Sequence, residues 1–231
     1  RLGAEFAEDS IIGIQQAGED GEGLLRAAEA GDGGPVLWKL NGENGTYLAR
    51  TVIIATGARH RKLEVPGEER LMGMGVSYCA TCDGAFYQGK VVAVIGGGDT
   101  ALEDALYLSR MAKTVYLVHR RDTFRANAAL QEAVQKTEKI VLVTNAVPTE
   151  ITGEKRVETL KLLQGGSPEE LSLDGVFVAI GSVPNTSLLE GVAELDSSGY
   201  VQAGEDGRTS VEGLFAAGDV RTKALRQVIT A

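Results

Sequence analysis

The sequence predicts an α/β fold, and three observations carry that prediction. Val91–Ile95 is an unbroken apolar run of the kind found in a strand buried on both faces, and it enters Gly96-Gly97-Gly98-Asp99-Thr100-Ala101 without a spacer. Leu102, Ala105, Leu106 and Leu108 then recur at helical spacing as far as Met111, after which Thr114–Val118 returns to strand. Three further apolar runs stop on glycine: 52–55 before Gly57, 176–180 before Gly181 and 214–217 before Gly218. Their unequal intervals argue against a repeat protein. Strand ends that finish on glycine are those where the backbone meets a ligand too closely for a side chain.

Around this centre the chain divides by composition. With 231 residues, 43% hydrophobic content and 30 glycines it is long enough for one large or two small domains. Residues 1–35 are acidic and glycine-rich, and 18–34 read as a flexible surface connection. Residues 36–40, the turn Asn41-Gly42-Glu43-Asn44-Gly45 and residues 46–55 read as strand, turn, strand, with asparagine and glycine expected to supply positive φ in the turn. The formal net charge of −9 argues against a nucleic-acid partner, which needs a basic face. No apolar run approaches the roughly 20 residues that span a bilayer.

The glycine turn carries the first chemical reading. G-x-G-x-x-A at a strand-to-helix turn lets Gly96 make the turn, Gly98 admit a pyrophosphate to the backbone, and Ala101 bring the helix close to its strand. The helix start then offers free N–H groups to phosphate. About 20 residues further on, where an NAD-binding chain carries an acid, this one has His119-Arg120-Arg121, with Arg125 one helical turn later. Three guanidinium groups suit a 2′-phosphate, so the pattern prefers NADPH over NADH.

The second reading comes from Cys79-Ala80-Thr81-Cys82-Asp83, which holds both cysteines of the chain. The spacing fits a redox-active dithiol, half of a metal site or a chance pair. Zinc would require two more ligands where only His60 and His119 are available, so no metal is expected and disulfide exchange is favoured. A short helical turn at 82–87 would place both sulfurs on one face near a helix start, where a thiolate is stabilised. Asp83 is the candidate acid and base for the thiol protons. His60, within Arg59-His60-Arg61-Lys62, is read as linker without chemistry.

Cys-Ala-Thr-Cys-Asp-Gly, then Gly-Gly-Gly-Asp-Thr-Ala, then His-Arg-Arg-Asp-Thr-Phe-Arg-Ala, in this order and spacing, resemble the low-molecular-weight thioredoxin reductases. Val178-Ala179-Ile180-Gly181-Ser182-Val183-Pro184-Asn185-Thr186, Phe215-Ala216-Ala217-Gly218-Asp219-Val220 and Arg226-Gln227 are similar to that family's flavin-side motifs. The resemblance implies a Rossmann-like NADPH-binding domain, residues 63–181 with the Cys pair, inserted into a truncated FAD-binding Rossmann-like domain formed by 1–62 and 182–231. It implies NADPH contacts from Gly96, Gly97, Gly98, Asp99, Thr100, His119, Arg120, Arg121 and Arg125. FAD contacts are implied for Gly57, Asp219, Val220, Arg226, Gln227 and Val228. Cys82 would receive electrons from the flavin, Cys79 would attack the disulfide of a thioredoxin, and Asp83 would handle protons. A cytoplasmic homodimer is the family habit.

Two departures accompany the resemblance. The family's opening G-x-G-x-x-G is absent from residues 1–58, and the chain stops at Ala231 before the expected last helix. The sequence therefore reads as a fragment that binds FAD poorly by itself. Alternatives within reach of the same motifs are a related flavin-dependent dithiol oxidoreductase with another partner and a non-catalytic NADPH-binding module.

Overall fold

The computed structural model describes residues 3–16 and 38–223. In chain order they form β1 (Ile11–Gln16), β2 (Trp38–Gly42), β3 (Thr46–Ala49), β4 (Val52–Ile54), β5 (Ala58–His60), β6 (Val76–Ser77), α1 (Ala80–Asp83), β7 (Val91–Ile95), α2 (Asp99–Ser109), β8 (Thr114–Val118), α3 (Ala128–Gln135), β9 (Ile140–Val143), β10 (Ala146–Thr152), β11 (Thr159–Gln164), β12 (Ser167–Ser172), β13 (Gly175–Val178), β14 (Ser182–Pro184) and β15 (Leu214–Ala216). The chain folds into two compact units, one of His60–Ser182 and one of Arg1–Arg59 with Val183–Ala231.

The unit formed by His60–Ser182 is built on a five-stranded sheet of order β6-β13-β7-β8-β9 in which every neighbouring pair is parallel. Parallel strands need crossovers, and α2 and α3 supply them between β7, β8 and β9. Side-chain alternation sends β7 residues to opposite faces. Val92 and Val94 pack with Ala101, Leu102, Ala105 and Leu108 of α2, whereas Ala93 and Ile95 join Ile151, Leu160 and Leu162 from a second, antiparallel sheet of order β10-β11-β12. Both faces are covered, which is why the strand reads as continuous apolar sequence. Leu102 and Leu108 are wholly buried, and each contributes about 2 kcal/mol of transfer free energy.

The other unit holds an antiparallel sheet of order β1-β2-β3 and a parallel pair, β4 with β15. Its core gathers Ile14, Trp38, Val52, Ile54, Leu189, Val201, Leu214 and Val220. Strands β5 and β14, by which the chain passes from one unit to the other, are hydrogen-bonded neighbours.

Two local expectations are corrected. Residues 46–55 are not one strand: β3 pairs with β2, and after Arg50-Thr51 the separate strand β4 pairs with β15, so the segment serves two sheets. The turn at 41–45 has no positive φ. It closes by Gly42 N–H donating to Gly45 C=O at 2.7 Å, and the Asp9 carboxylate accepts from Asn44 N–H and the Tyr47 hydroxyl. A Cβ at Gly42 would meet that carboxylate and displace it. The expectation for 18–34 lies outside the described residues.

Candidate active site

The Cys pair sits where β6 leaves the parallel sheet. Cys79 is the N-cap of α1, a single turn, and its Sγ accepts from Cys82 N–H at 3.2 Å. Cys79 and Cys82 form a disulfide with Cα atoms 5.3 Å apart. Cys82 is exposed and Cys79 half-buried. Because α1 has only four residues, the nearby N–H rather than an extended helix dipole supplies the local positive field. The Ser77 hydroxyl, buried at the end of β6, donates to Asp83 Oδ2 at 2.6 Å and accepts from Cys79 N–H at 3.1 Å. One hydroxyl thus ties the candidate acid to the backbone of the first cysteine. Burial first, then the Asp83 and Asp174 carboxylates, push the neighbouring Tyr87 phenol above its ordinary range.

A second network flanks the pair. Tyr78 donates to Glu68 Oε1 at 2.7 Å, and Glu68, itself buried, also accepts from Leu63 and Glu64 N–H. Burial, followed by the Glu68 hydrogen bond, holds the Tyr78 hydroxyl protonated far above its usual range. The His60 ring stacks on Tyr78 with centroids 5.3 Å apart. His60, which carries no motif, is thereby tied to the residue preceding Cys79.

The glycine turn lies between β7 and α2. A Cβ on Gly96 would meet Ala179 C=O and the Ala101 methyl, and one on Gly97 would enter the His119 imidazole. Gly98 differs: a Cβ there meets nothing, so it faces open space at the start of α2. The first N–H groups of an eleven-residue helix have no acceptor within it, which leaves those of Asp99 and Thr100 available beside Gly98. His119 is buried, with its ring stacked on Phe124 and Nε2 3.1 Å from Thr123 C=O. Burial first, with Arg120, Arg121 and Arg125 adding to it against the Thr123 bond, lowers its pKa. Its ring therefore supports Gly97 as a neutral, packed side chain.

Arg120, Arg121 and Arg125 are all exposed, and none has a carboxylate partner among the described residues. Arg125 N–H donates to Gly97 C=O at 2.8 Å, which brings the loop of arginines to the glycine turn. The Asp99 carboxylate is engaged by Asn127, whose N–H and side-chain amide both donate to Oδ1. An open glycine, free helix-start N–H groups and unpaired guanidinium groups make a cradle that fits a phosphorylated dinucleotide.

The remaining candidates lie in the other unit. Gly57, at the end of β4, and Gly218, after β15, have φ of 68° and 72°, so backbone conformation alone calls for glycine there. Gly181, which ends the β13 segment within the His60–Ser182 unit, has φ of 102° and calls for glycine in the same way. The Val220 side chain belongs to the core, and its C=O accepts from Val201 N–H at 3.0 Å. Asp219 Oδ1 is buried against Lys223 Nζ at 3.2 Å, while the Asp219 side chain as a whole is partly exposed, which leaves part of it open to a hydroxyl-bearing cofactor such as FAD. Arg226, Gln227 and Val228 lie outside the described residues.

Ser77, Glu68, Tyr78 and Asn127 escaped the sequence reading. Asn127 alone had a visible signal, an asparagine directly before a helix-forming run, and it does cap α3 by accepting from Leu130 N–H at 3.0 Å. No metal-binding cluster occurs among the described residues, and no helix among them is long and apolar enough to cross a membrane.

Residues 22–231 match the family model for pyridine nucleotide-disulphide oxidoreductase. A thioredoxin reductase of Listeria innocua is 44% identical over 100% of this chain and 72% of its own length. A Pseudomonas fluorescens protein named glucosaminate ammonia-lyase is 51% identical over 84% of this chain, which spans 63% of that relative. The solved thioredoxin reductase of Giardia duodenalis superposes with a TM-score of 0.82 at 36% identity, covering 99% of this chain and 71% of that one. The chain belongs to the pyridine nucleotide-disulphide oxidoreductases and, within them, to the thioredoxin reductases.

Proposed function

We propose that the chain carries the redox and NADPH-binding parts of a thioredoxin-disulfide reductase, in which electrons from NADPH reach the Cys79–Cys82 disulfide and then thioredoxin. The observation that carries this reading is the closed disulfide of Cys79 and Cys82, with its Asp83–Ser77 hydrogen bond, in the unit that also holds the glycine turn. Residues 63–181 act as the NADPH domain, and 1–62 with 182–231 as parts of the FAD domain. FAD, when bound, supplies the relay between a two-electron hydride donor and a disulfide.

The protein's own groups do the rest. Gly98 and the first N–H groups of α2 bind the pyrophosphate, while Arg120, Arg121 and Arg125 recognise the 2′-phosphate. Gly96, Gly97 and His119 hold that turn in shape, and Asp99 and Thr100 open the helix beneath it. Gly57, Asp219 and Val220, with Arg226, Gln227 and Val228, belong to the flavin side. Reduction of the disulfide takes up two electrons and leaves two sulfurs to be protonated, and Asp83, held by Ser77, moves a proton at its carboxylate. Cys82 is the sulfur on the electron-receiving side, and Cys79 attacks the thioredoxin disulfide. A cytoplasmic homodimer belongs to the same reading.

The test is thiol release from thioredoxin by the chain supplied with NADPH and FAD. Turnover is expected in the unaltered protein and is expected to be lost in Cys79→Ser and Cys82→Ser while NADPH binding is kept. Turnover that survives both substitutions, or an unaltered chain that does not bind NADPH, overturns the reading, whereas NADPH binding without turnover marks an incomplete flavin side.

A further inference from the structure

The loop of residues 120–127 carries all three candidate arginines and has no helix or strand of its own. Its backbone is fastened from outside at several points. Arg121 C=O accepts from Asn145 N–H at 3.2 Å, Thr123 C=O lies 3.1 Å from His119 Nε2, and Arg125 N–H donates to Gly97 C=O at 2.8 Å. The exit of the loop is held by one charged group: Asp99 Oδ1 accepts from Asn127 N–H at 2.8 Å and from its side-chain amide at 3.2 Å. Asn127 in turn accepts from Leu130 N–H to start α3.

A carboxylate at the start of α2 is in an awkward place for phosphate binding. It is favoured by the helix dipole, yet it repels any phosphate brought to the same N–H groups. The pair of hydrogen bonds from Asn127 explains what the carboxylate does there. Hydrogen bonds to an ionised acceptor are the stronger kind, and this one spans from the glycine turn to the far end of the arginine loop.

We propose that Asp99 is a positioning residue for recognition of the nucleotide 2′-phosphate: its carboxylate holds Asn127, and through it the arginine loop, against the glycine turn. The proposal rests on the NADPH reading given under Proposed function and adds to it a role for the Asp99 carboxylate, which acts without touching the nucleotide. Long arginine side chains recognise a phosphate only as well as their backbone is held, since every freedom removed before binding is a cost avoided during binding. Loss of the Asp99–Asn127 contact therefore weakens the 2′-phosphate contribution selectively. The adenosine and 5′-phosphate contributions, made at the glycine turn, are left largely as they were.

The experiment is calorimetric titration of the full chain with two probes, adenosine 2′,5′-bisphosphate and adenosine 5′-monophosphate. The unaltered protein is expected to prefer the bisphosphate. Asp99→Ala is expected to reduce that preference by about tenfold, the scale of one hydrogen bond to a charged group, with little change for the monophosphate. Asp99→Asn keeps an oxygen that accepts from Asn127 and is expected to retain the preference. Asn127→Asp approaches the contact from the other side: it keeps the acceptor for Leu130, sets two carboxylates against each other, and is expected to lose the preference with Asp99 intact. An unchanged preference in both Asp99→Ala and Asn127→Asp overturns the proposal. An equal loss for both probes would make Asp99 a direct ligand, and equal tightening of both probes in Asp99→Ala and Asp99→Asn would reduce it to a charge effect; each overturns the positioning role. Absence of any preference in the unaltered protein is a separate result, which removes the NADPH reading and this role together.

Discussion

Ser77 shows how much one buried hydroxyl organises at the redox pair. It donates to Asp83 and accepts from Cys79 N–H, so removing it leaves a backbone donor and a carboxylate without this partner. Ser77→Ala is expected to cost about 1–3 kcal/mol in urea unfolding, the penalty for an unmet polar group in a buried place, whereas Ser77→Thr keeps the hydroxyl and most of the stability. Equal stability of the alanine variant and the parent would show that the contact contributes nothing. His119 makes the complementary point with packing instead of polarity. Its ring occupies the volume that a side chain at position 97 would need, so the middle glycine of the turn answers to a histidine 22 positions away.

Helix α2 combines a packed face with one strained charge. Ala101, Leu102, Ala105 and Leu108 close the helix onto β7 and β8, which the apolar spacing of the sequence already indicates. Asp104, half-buried on the same helix, has its pKa raised to about 6 by burial first and by Glu103 second. The folded state therefore holds the proton more tightly than the unfolded chain does. The stabilisation this gives is complete below the ordinary carboxylate pKa of about 4 and is lost as pH rises through about 6. Asp104→Asn is accordingly expected to raise stability at neutral pH by about 1 kcal/mol, after discounting for partial exposure, and to change little in mild acid. Urea unfolding of both proteins at the two pH values measures this, and a variant no more stable at neutral pH would refute it.

Two compact units form from one chain, and the middle segment is continuous while the outer unit is assembled from two segments. The continuous unit has both faces of its parallel sheet covered by its own elements, α2 and α3 on one and β10–β12 on the other. Such a unit has the core needed to fold alone. Residues 60–182 expressed separately are expected to unfold cooperatively in urea and to bind adenosine 2′,5′-bisphosphate within about threefold of the whole chain, a difference of under 1 kcal/mol. A non-cooperative transition, or loss of that binding, would show that the other unit is needed to complete it.

The α/β class, the strand–glycine–helix centre and the redox pairing of the two cysteines were legible from residue order, because each depends on neighbours close in the chain. A five-residue apolar strand, a glycine turn and an apolar stripe at helical spacing are local patterns with one joint solution. The antiparallel β10–β12 layer, the division of 46–55 between two sheets, and the Ser77–Asp83, Glu68–Tyr78–His60 and Asp99–Asn127 contacts were not legible. Serine, glutamate and asparagine are common at surfaces and turns, and nothing in their immediate sequence says which will meet a partner. Those pairings are settled by packing and burial, which bring distant residues together and make an unmet polar group costly.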